Sequence, residues 1–231
     1  MILEVKNIKG GYKKDVDILR GINLSIKNGE AVGIIGLNGS GKSTLGKSLM
    51  NMLPYQKGEM LFDGTNISTL PTSEISRKGI SIMLQGGKVF ENLTVDENLK
   101  LSGKADNEIK GIIPILSSNL GNRMADRLSG GQRHQLALAM ALLSRPKLVI
   151  LDEPSAGLSP KAVEEMYDIL SKVKSKLGIT ILLIEQNISK AISFCDRSLL
   201  IAQGQIEQEF QNQDIKEVEN KMFNSIKTEE L

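Results

Sequence analysis

Apolar and polar residues alternate in ILEVKNI and again in VDILRGINLSI, which predicts two half-buried strands ahead of the turn dipeptide Asn28-Gly29. EAVGIIG then reads as a third strand, apolar throughout, running directly into the glycine-rich string GLNGSGKST; the leucines and methionines of LGKSLMNML beyond it recur at helical spacing. A short β segment, GEMLFDG, precedes a linker and a helix, and GISIMLQ reads as a buried strand ending at Gln85. From residue 86 to 127 the pattern turns polar and helical, opening on a capping box in which Thr94 caps and Glu97 reaches back. Alternation then resumes with a helix over residues 130–143, a strand over 148–151, a helix over 160–176 ended by Gly178, and a strand over 179–184. A hairpin turning at Gln203-Gly204 and a charged C-terminal helix close the chain. Helix and strand in turn predict an α/β fold with a mostly parallel sheet.

Composition adds limits. At 231 residues, with 40% hydrophobic and 24% charged positions, the chain belongs with soluble globular proteins rather than disordered or fibrous ones. Its longest apolar stretches fall well short of the roughly 18 residues a bilayer span needs, and MILEVKNIKG lacks the apolar core and cleavage site of a secretory signal. The cytoplasm is the expected compartment. A net charge of +2, with basic and acidic residues interspersed, points away from nucleic acid. The single cysteine, Cys195, is expected in packed core, and the single histidine, His134, on an exposed helix face.

Three strings carry chemistry. GLNGSGKST, residues 36–44, fits the phosphate-binding pattern G-x-x-x-x-G-K-[ST]. Gly36, Leu37, Asn38, Gly39, Ser40, Gly41, Lys42, Ser43 and Thr44 would wrap the phosphates of ATP, with Gly39 and Gly41 letting backbone approach, Lys42 supplying charge and Ser43 a Mg²⁺ ligand. In LVILDEP, Asp152 emerges where an apolar strand ends, placed to hold Mg²⁺, and Glu153 beside it can polarise a water for attack on the γ-phosphate. In LSGGQ, Ser129 and Gln132 can be explained as helix capping, whereas the glycine pair Gly130 and Gly131 weakens a helix start by about 1 kcal/mol each relative to alanine. That pair makes sense if a phosphate must lie against the helix end.

In this order the phosphate loop, a glutamine, LSGGQ and an apolar strand ending in Asp-Glu resemble the nucleotide-binding subunit of ABC transporters over essentially the whole chain. The resemblance implies a P-loop NTPase core with a mostly parallel sheet, an N-terminal antiparallel β subdomain and a small helical insertion. One domain, 1–231, would hold that insertion at 86–127. It implies an ATP hydrolase that powers a transporter and binds integral membrane permease subunits on the inner face of the cell membrane. It also implies a head-to-tail dimer, with itself or a paralogous ATPase. Each ATP would then meet Lys42 and Glu153 of one subunit and Ser129, Gly130, Gly131 and Gln132 of the other. Gln85 matches the family's glutamine loop, which touches Mg²⁺, and Tyr12 matches the aromatic that stacks on adenine.

Two positions depart from the family's commonest pattern. Ser159 stands where aspartate is usual and can cap the helix that Pro160 begins. Gln186, in IEQN, stands where most relatives carry a γ-phosphate-sensing histidine; an amide donates a hydrogen bond but cannot take up a proton as a base, so Glu153 would act as base and Gln186 as positioner. GLSP after DEPSA, IEQN, and KVFENLTVDENL after Gln85 resemble the ATPases of branched-chain amino acid importers and related amide or urea importers. An exporter ATPase and a soluble ABC ATPase of cofactor assembly are the alternatives. A P-loop kinase would have no use for LSGGQ.

Overall fold

A computed structural model describes residues 1–103 and 107–211. In chain order the elements are β1 (Leu3–Gly11), β2 (Leu19–Ile26), β3 (Ala31–Ile35), α1 (Lys42–Leu49), β4 (Tyr55–Phe62), β5 (Thr65–Asn66), α2 (Thr72–Lys78), β6 (Ile80–Met83), α3 (Val95–Ser102), α4 (Asn107–Lys110), α5 (Gly130–Leu142), β7 (Leu148–Asp152), α6 (Pro160–Lys172), β8 (Thr180–Glu185), α7 (Ile188–Phe194), β9 (Arg197–Ala202) and β10 (Gln205–Gln211). The fold is α/β. The chain divides into two compact units, Met1–Pro71 with Leu182–Leu231, and Thr72–Ile181.

The first unit holds an antiparallel sheet in the order β2-β1-β4-β5. Leu3, Val5 and Ile8 of β1 and Leu19, Ile22, Leu24 and Ile26 of β2 are buried, so alternation in the sequence does mark one covered face. The period is not perfect. Between Lys6 and Lys9 the register of β1 on β4 shifts, and Asn7 takes a left-handed φ of 51°, the geometry of a β-bulge. The same unit carries β3 parallel to β9, which pairs antiparallel with β10. Asn28-Gly29 therefore closes no hairpin; it hands the chain from one sheet to another. Every residue of β3 is buried, and Ile35 packs with Ile192, Leu200 and Phe210 from α7, β9 and β10. The β9–β10 hairpin turns at Gln203 and Gly204, both with positive φ as its tight turn requires.

In the second unit β6 and β7 pair in parallel. All five residues of β7 are buried, as a strand covered on both faces demands. Helix α5 lies against β6, α3 and α6, and Ser81 Oγ donates to the Ala141 carbonyl at 2.7 Å, tying α5 to β6. The segment opening at Thr94 has the expected capping box, followed by one short helix and two 3-10 turns.

Boundaries differ from the sequence pattern in identifiable places. Strand β6 stops at Met83, two residues before Gln85, because the chain then bends into left-handed Gly86 and Gly87. The helix expected over 160–176 widens into a π-helical turn, Val173–Leu177, before Gly178 ends it in the left-handed conformation. Ser159 precedes α6 without a side-chain capping bond, and Pro160 alone sets the first turn. The charged C-terminal helix lies outside the described residues.

Candidate functional site

In the first unit, residues 36–44 link buried β3 to α1, the strand–loop–helix context a phosphate loop requires. Gly36 has φ 156°, and a Cβ there would run into the Ile201 carbonyl, so only glycine leaves the strand this way. Leu37, Asn38 and Gly39 are exposed, while Ser40, Gly41 and Lys42 are buried. Gly39 is left-handed at φ 80°, and none of the described residues would lie within 4 Å of a Cβ there, so they leave this stretch of backbone open to a ligand. Gly41, at φ 106°, is the residue before α1.

Lys42 is 4% exposed. Its Nζ donates to the Gly36 carbonyl at 2.9 Å and the Leu37 carbonyl at 2.8 Å, which folds the cation back over its own loop. The Gly204 N–H donates to the Ser40 carbonyl at 2.9 Å, so the β9–β10 turn braces the loop. Ser40 Oγ is buried with no hydrogen-bond partner among the described residues. An orphaned hydroxyl, a buried cation, an open glycine and the first N–H groups of α1 together fit an anionic polyphosphate such as that of ATP. Ser43 is the second residue of α1, half-buried, and Thr44 follows it into the core.

Tyr12 is 46% exposed, and Lys47 Nζ lies 3.2 Å from its hydroxyl and 5.4 Å from the ring centroid. Gln186 follows β8 and is exposed; its backbone N–H donates to Oε2 of buried Glu185 at 3.1 Å. Asn187 next to it caps α7. The residue expected to position phosphate thus sits on a short, well-capped connection.

The second unit gathers the acidic residues. Asp152 is the last residue of β7 and 1% exposed. Glu153 is 4% exposed and held at φ 48°, a left-handed conformation that costs a non-glycine residue about 1 kcal/mol. Gln85 Nε2 donates to Glu153 Oε2 at 2.5 Å. The Gln85 amide hydrogen bond orients the carboxylate, and a carboxylate so held can accept a proton from water. Among the described residues there is no cluster of three or more His, Cys, Asp or Glu side chains that would chelate a metal without substrate.

The LSGGQ string, residues 128–132, also lies in this unit. Ser129 caps α5 in a full capping box: the Gln132 N–H donates to Ser129 Oγ at 3.3 Å and Gln132 Oε1 accepts from the Ser129 N–H at 3.0 Å. Neither Gly130 nor Gly131 has a positive φ. Cβ atoms there would meet Leu158 Cδ2 at 3.6 Å and Ala162 Cβ at 3.4 Å, which are ordinary contacts. Nothing among the described residues, then, requires the glycine pair. It borders a cavity of about 540 Å³ lined by Ser129, Gly130, Gly131, Gln132, Ser159 and Ala162, among others.

His134 departs from expectation. It is 5% exposed, and its Nδ1 lies 2.7 Å from the Pro154 carbonyl. Leu138, Ala141 and Leu142, four, seven and eight residues on, are buried along the same face of α5, so helical periodicity could have placed it inside.

The sequence model of the family described as ABC transporter matches residues 19–156. The chain is 35% identical over 204 residues to the high-affinity branched-chain amino acid transport ATP-binding protein BraG of Pseudomonas aeruginosa, covering 84% of this chain and 87% of that one. It is 36% identical over 214 residues to the probable branched-chain amino acid transport ATP-binding protein LivF of Archaeoglobus fulgidus, covering 89% and 90%. Among solved structures, a dimeric ATP-binding cassette in a post-hydrolysis state with ADP and Pi superposes with a TM-score of 0.79 at 27% identity, covering 92% of this chain and 99% of that one.

Proposed function

The chain belongs to the ABC transporter family as an ATP-binding, ATP-hydrolysing subunit, and on that premise we propose that it drives import of branched-chain amino acids or related small polar solutes. The observation that carries the cargo is the 35–36% identity to BraG and LivF along nearly their full lengths. No helix among the described residues is long and apolar enough to cross a membrane. The transport roles in the names of BraG and LivF support a chain that works with integral permease subunits, which bind the cargo, on the inner, cytoplasmic face of the membrane. It acts as one ABC ATPase domain in which residues 86–127 form the helical insertion.

Chemistry is assigned by residue. The loop from Gly36 to Thr44 holds the phosphates, with Lys42 and the Ser40 hydroxyl as donors, and Tyr12 stacks on the base. Ser43, Asp152 and Gln85 would hold Mg²⁺ through the hard oxygen ligands it prefers, and when bound it would supply charge neutralisation on the phosphates. Glu153 takes the proton of the attacking water, and Gln186 donates an amide hydrogen bond to phosphate. Ser129, Gly130, Gly131 and Gln132 complete the site of a second chain arranged head to tail, either a copy of this one or a paralogue. That nothing among the described residues calls for two glycines at the start of α5 supports that role.

The test is hydrolysis by the chain assembled with its permease in lipid. A solute-binding protein loaded with leucine should stimulate turnover severalfold over the unloaded protein. A second reading, export, has support in 30% identity to the lipopolysaccharide export ATP-binding protein LptB of Haemophilus influenzae over 88% of its length. Stimulation by lipopolysaccharide with no response to amino acids would establish that reading and overturn import.

A further inference from the structure

We propose that His134 is a positioning residue for hydrolysis, joining the loop after β6 to the loop after β7 so that Gln85 and Glu153 keep their relative geometry. The inference rests on the reading of Glu153 as the base. Three contacts, all in the second unit, carry it. His134 Nδ1 lies 2.7 Å from the Pro154 carbonyl, one residue beyond Glu153. The imidazole lies close against Gly87, two residues beyond Gln85: a Cβ on Gly87 would sit 2.5 Å from Cδ2 and 3.0 Å from Nε2. Gln85 and Glu153 then close the circuit with their own 2.5 Å hydrogen bond.

The chemistry of the contact is one-sided. A carbonyl oxygen offers no proton, so Nδ1 must be the donor, and the neutral ring must carry its proton there rather than on Nε2. Glu153 has a left-handed backbone that tends to relax unless its neighbours hold it. A hydrogen bond to the very next carbonyl is well placed to do so. Gly87, itself left-handed at φ 60°, leaves room for the ring that no other residue would leave. The contacts of His134 are to the Pro154 carbonyl and Gly87, so it acts by setting where Gln85 and Glu153 are held.

Two variants of similar size separate positioning from packing. The side-chain amide introduced by His134→Asn can place an N–H where Nδ1–H was, whereas His134→Leu fills the same space with no donor. In full-length protein, His134→Leu should lower kcat for ATP about tenfold with KM changed less than twofold, and His134→Asn should recover most of that loss. Equal kcat in the two variants, or full kcat in His134→Leu, would overturn the proposal. Glu153→Gln measured in parallel keeps the premises apart. If it retains turnover, the reading of Glu153 fails; if it is inactive while His134→Leu is not, only the present inference fails. A measurement without any variant decides independently. Because the chain has one histidine, a long-range proton–nitrogen NMR spectrum of tag-free, ¹⁵N-histidine-labelled protein reports it alone. Protonated Nδ1 supports the proposal, and the Nε2–H tautomer with bare Nδ1 contradicts it.

Discussion

Replacing Gly131 by alanine should stabilise the isolated chain while nearly stopping it as an enzyme, because the two effects arise in different places. Within the chain, a Cβ at Gly131 meets Ala162 Cβ at 3.4 Å and the backbone is not left-handed, so alanine fits without displacement. Alanine is favoured over glycine in a helix by up to about 1 kcal/mol, partly by restricting the unfolded chain. For a chain of 231 residues, 1 kcal/mol corresponds to a rise in Tm of about 2–4 °C. In the proposed head-to-tail dimer, by contrast, the new methyl would occupy space that a phosphate oxygen is to enter, and a displacement of about 1 Å at reacting groups costs on the order of a hundredfold in rate. Melting without nucleotide and steady-state ATP hydrolysis, both on full-length protein, check the pair of effects. A lower Tm would mean that the chain itself needs this glycine. Unchanged hydrolysis would mean that no phosphate approaches α5, and either result refutes the reasoning.

Three further outcomes follow from the same geometry. Gly204→Ala drives a Cβ into the Ile18 carbonyl at a position with φ 78°, so it should cost more than about 2 kcal/mol in urea unfolding and weaken ATP binding by freeing the Ser40 carbonyl; wild-type values in both would contradict the brace. Burial pushes the Glu30 carboxyl up, but hydrogen bonds from Arg197 and the Lys27 N–H, with the guanidinium charge, outweigh it and hold the group below its ordinary 4.5. The folded value lies below the unfolded one, so its stabilisation is complete above that ordinary value and lost as pH falls through the lowered one. The stability gap between wild type and Glu30→Gln, about 2 kcal/mol at neutral pH, should close in acid, and a gap that widens there would sink the assignment. Gln186→Ala should slow ATP turnover severalfold while leaving it measurable, since an amide that only positions phosphate is replaceable in part by water; complete loss would give Gln186 a role beyond positioning.

What can be read from residues alone is what local chemistry dictates. The strand–loop–helix around Lys42, the capping boxes at Thr94 and Ser129, the apolar run of β7 and the turn at Gln203-Gly204 are each set by neighbours within a few positions, and each is where the pattern puts it. Long-range facts are not legible. Alternation cannot say that Asn28-Gly29 changes sheets, because pairing partners lie far apart in sequence. No periodicity signals that Glu153 is left-handed or that Gln85 reaches across to its carboxylate, since both depend on loops meeting in space. His134 is misplaced for a different reason. Weighing its polarity above its register on α5 puts it outside, although Leu138 and Ala141 already mark that face as buried.

Trapping decides whether Glu153 is the base in an ATP site completed by the LSGGQ segment of a second chain. Glu153→Gln protein with ATP and Mg²⁺, passed over a sizing column with light-scattering detection, should elute as a dimer retaining two unhydrolysed ATP molecules, and adding Gly131→Ala should return it to monomer. A monomer in the first case, or ADP in the eluted protein, would contradict the account.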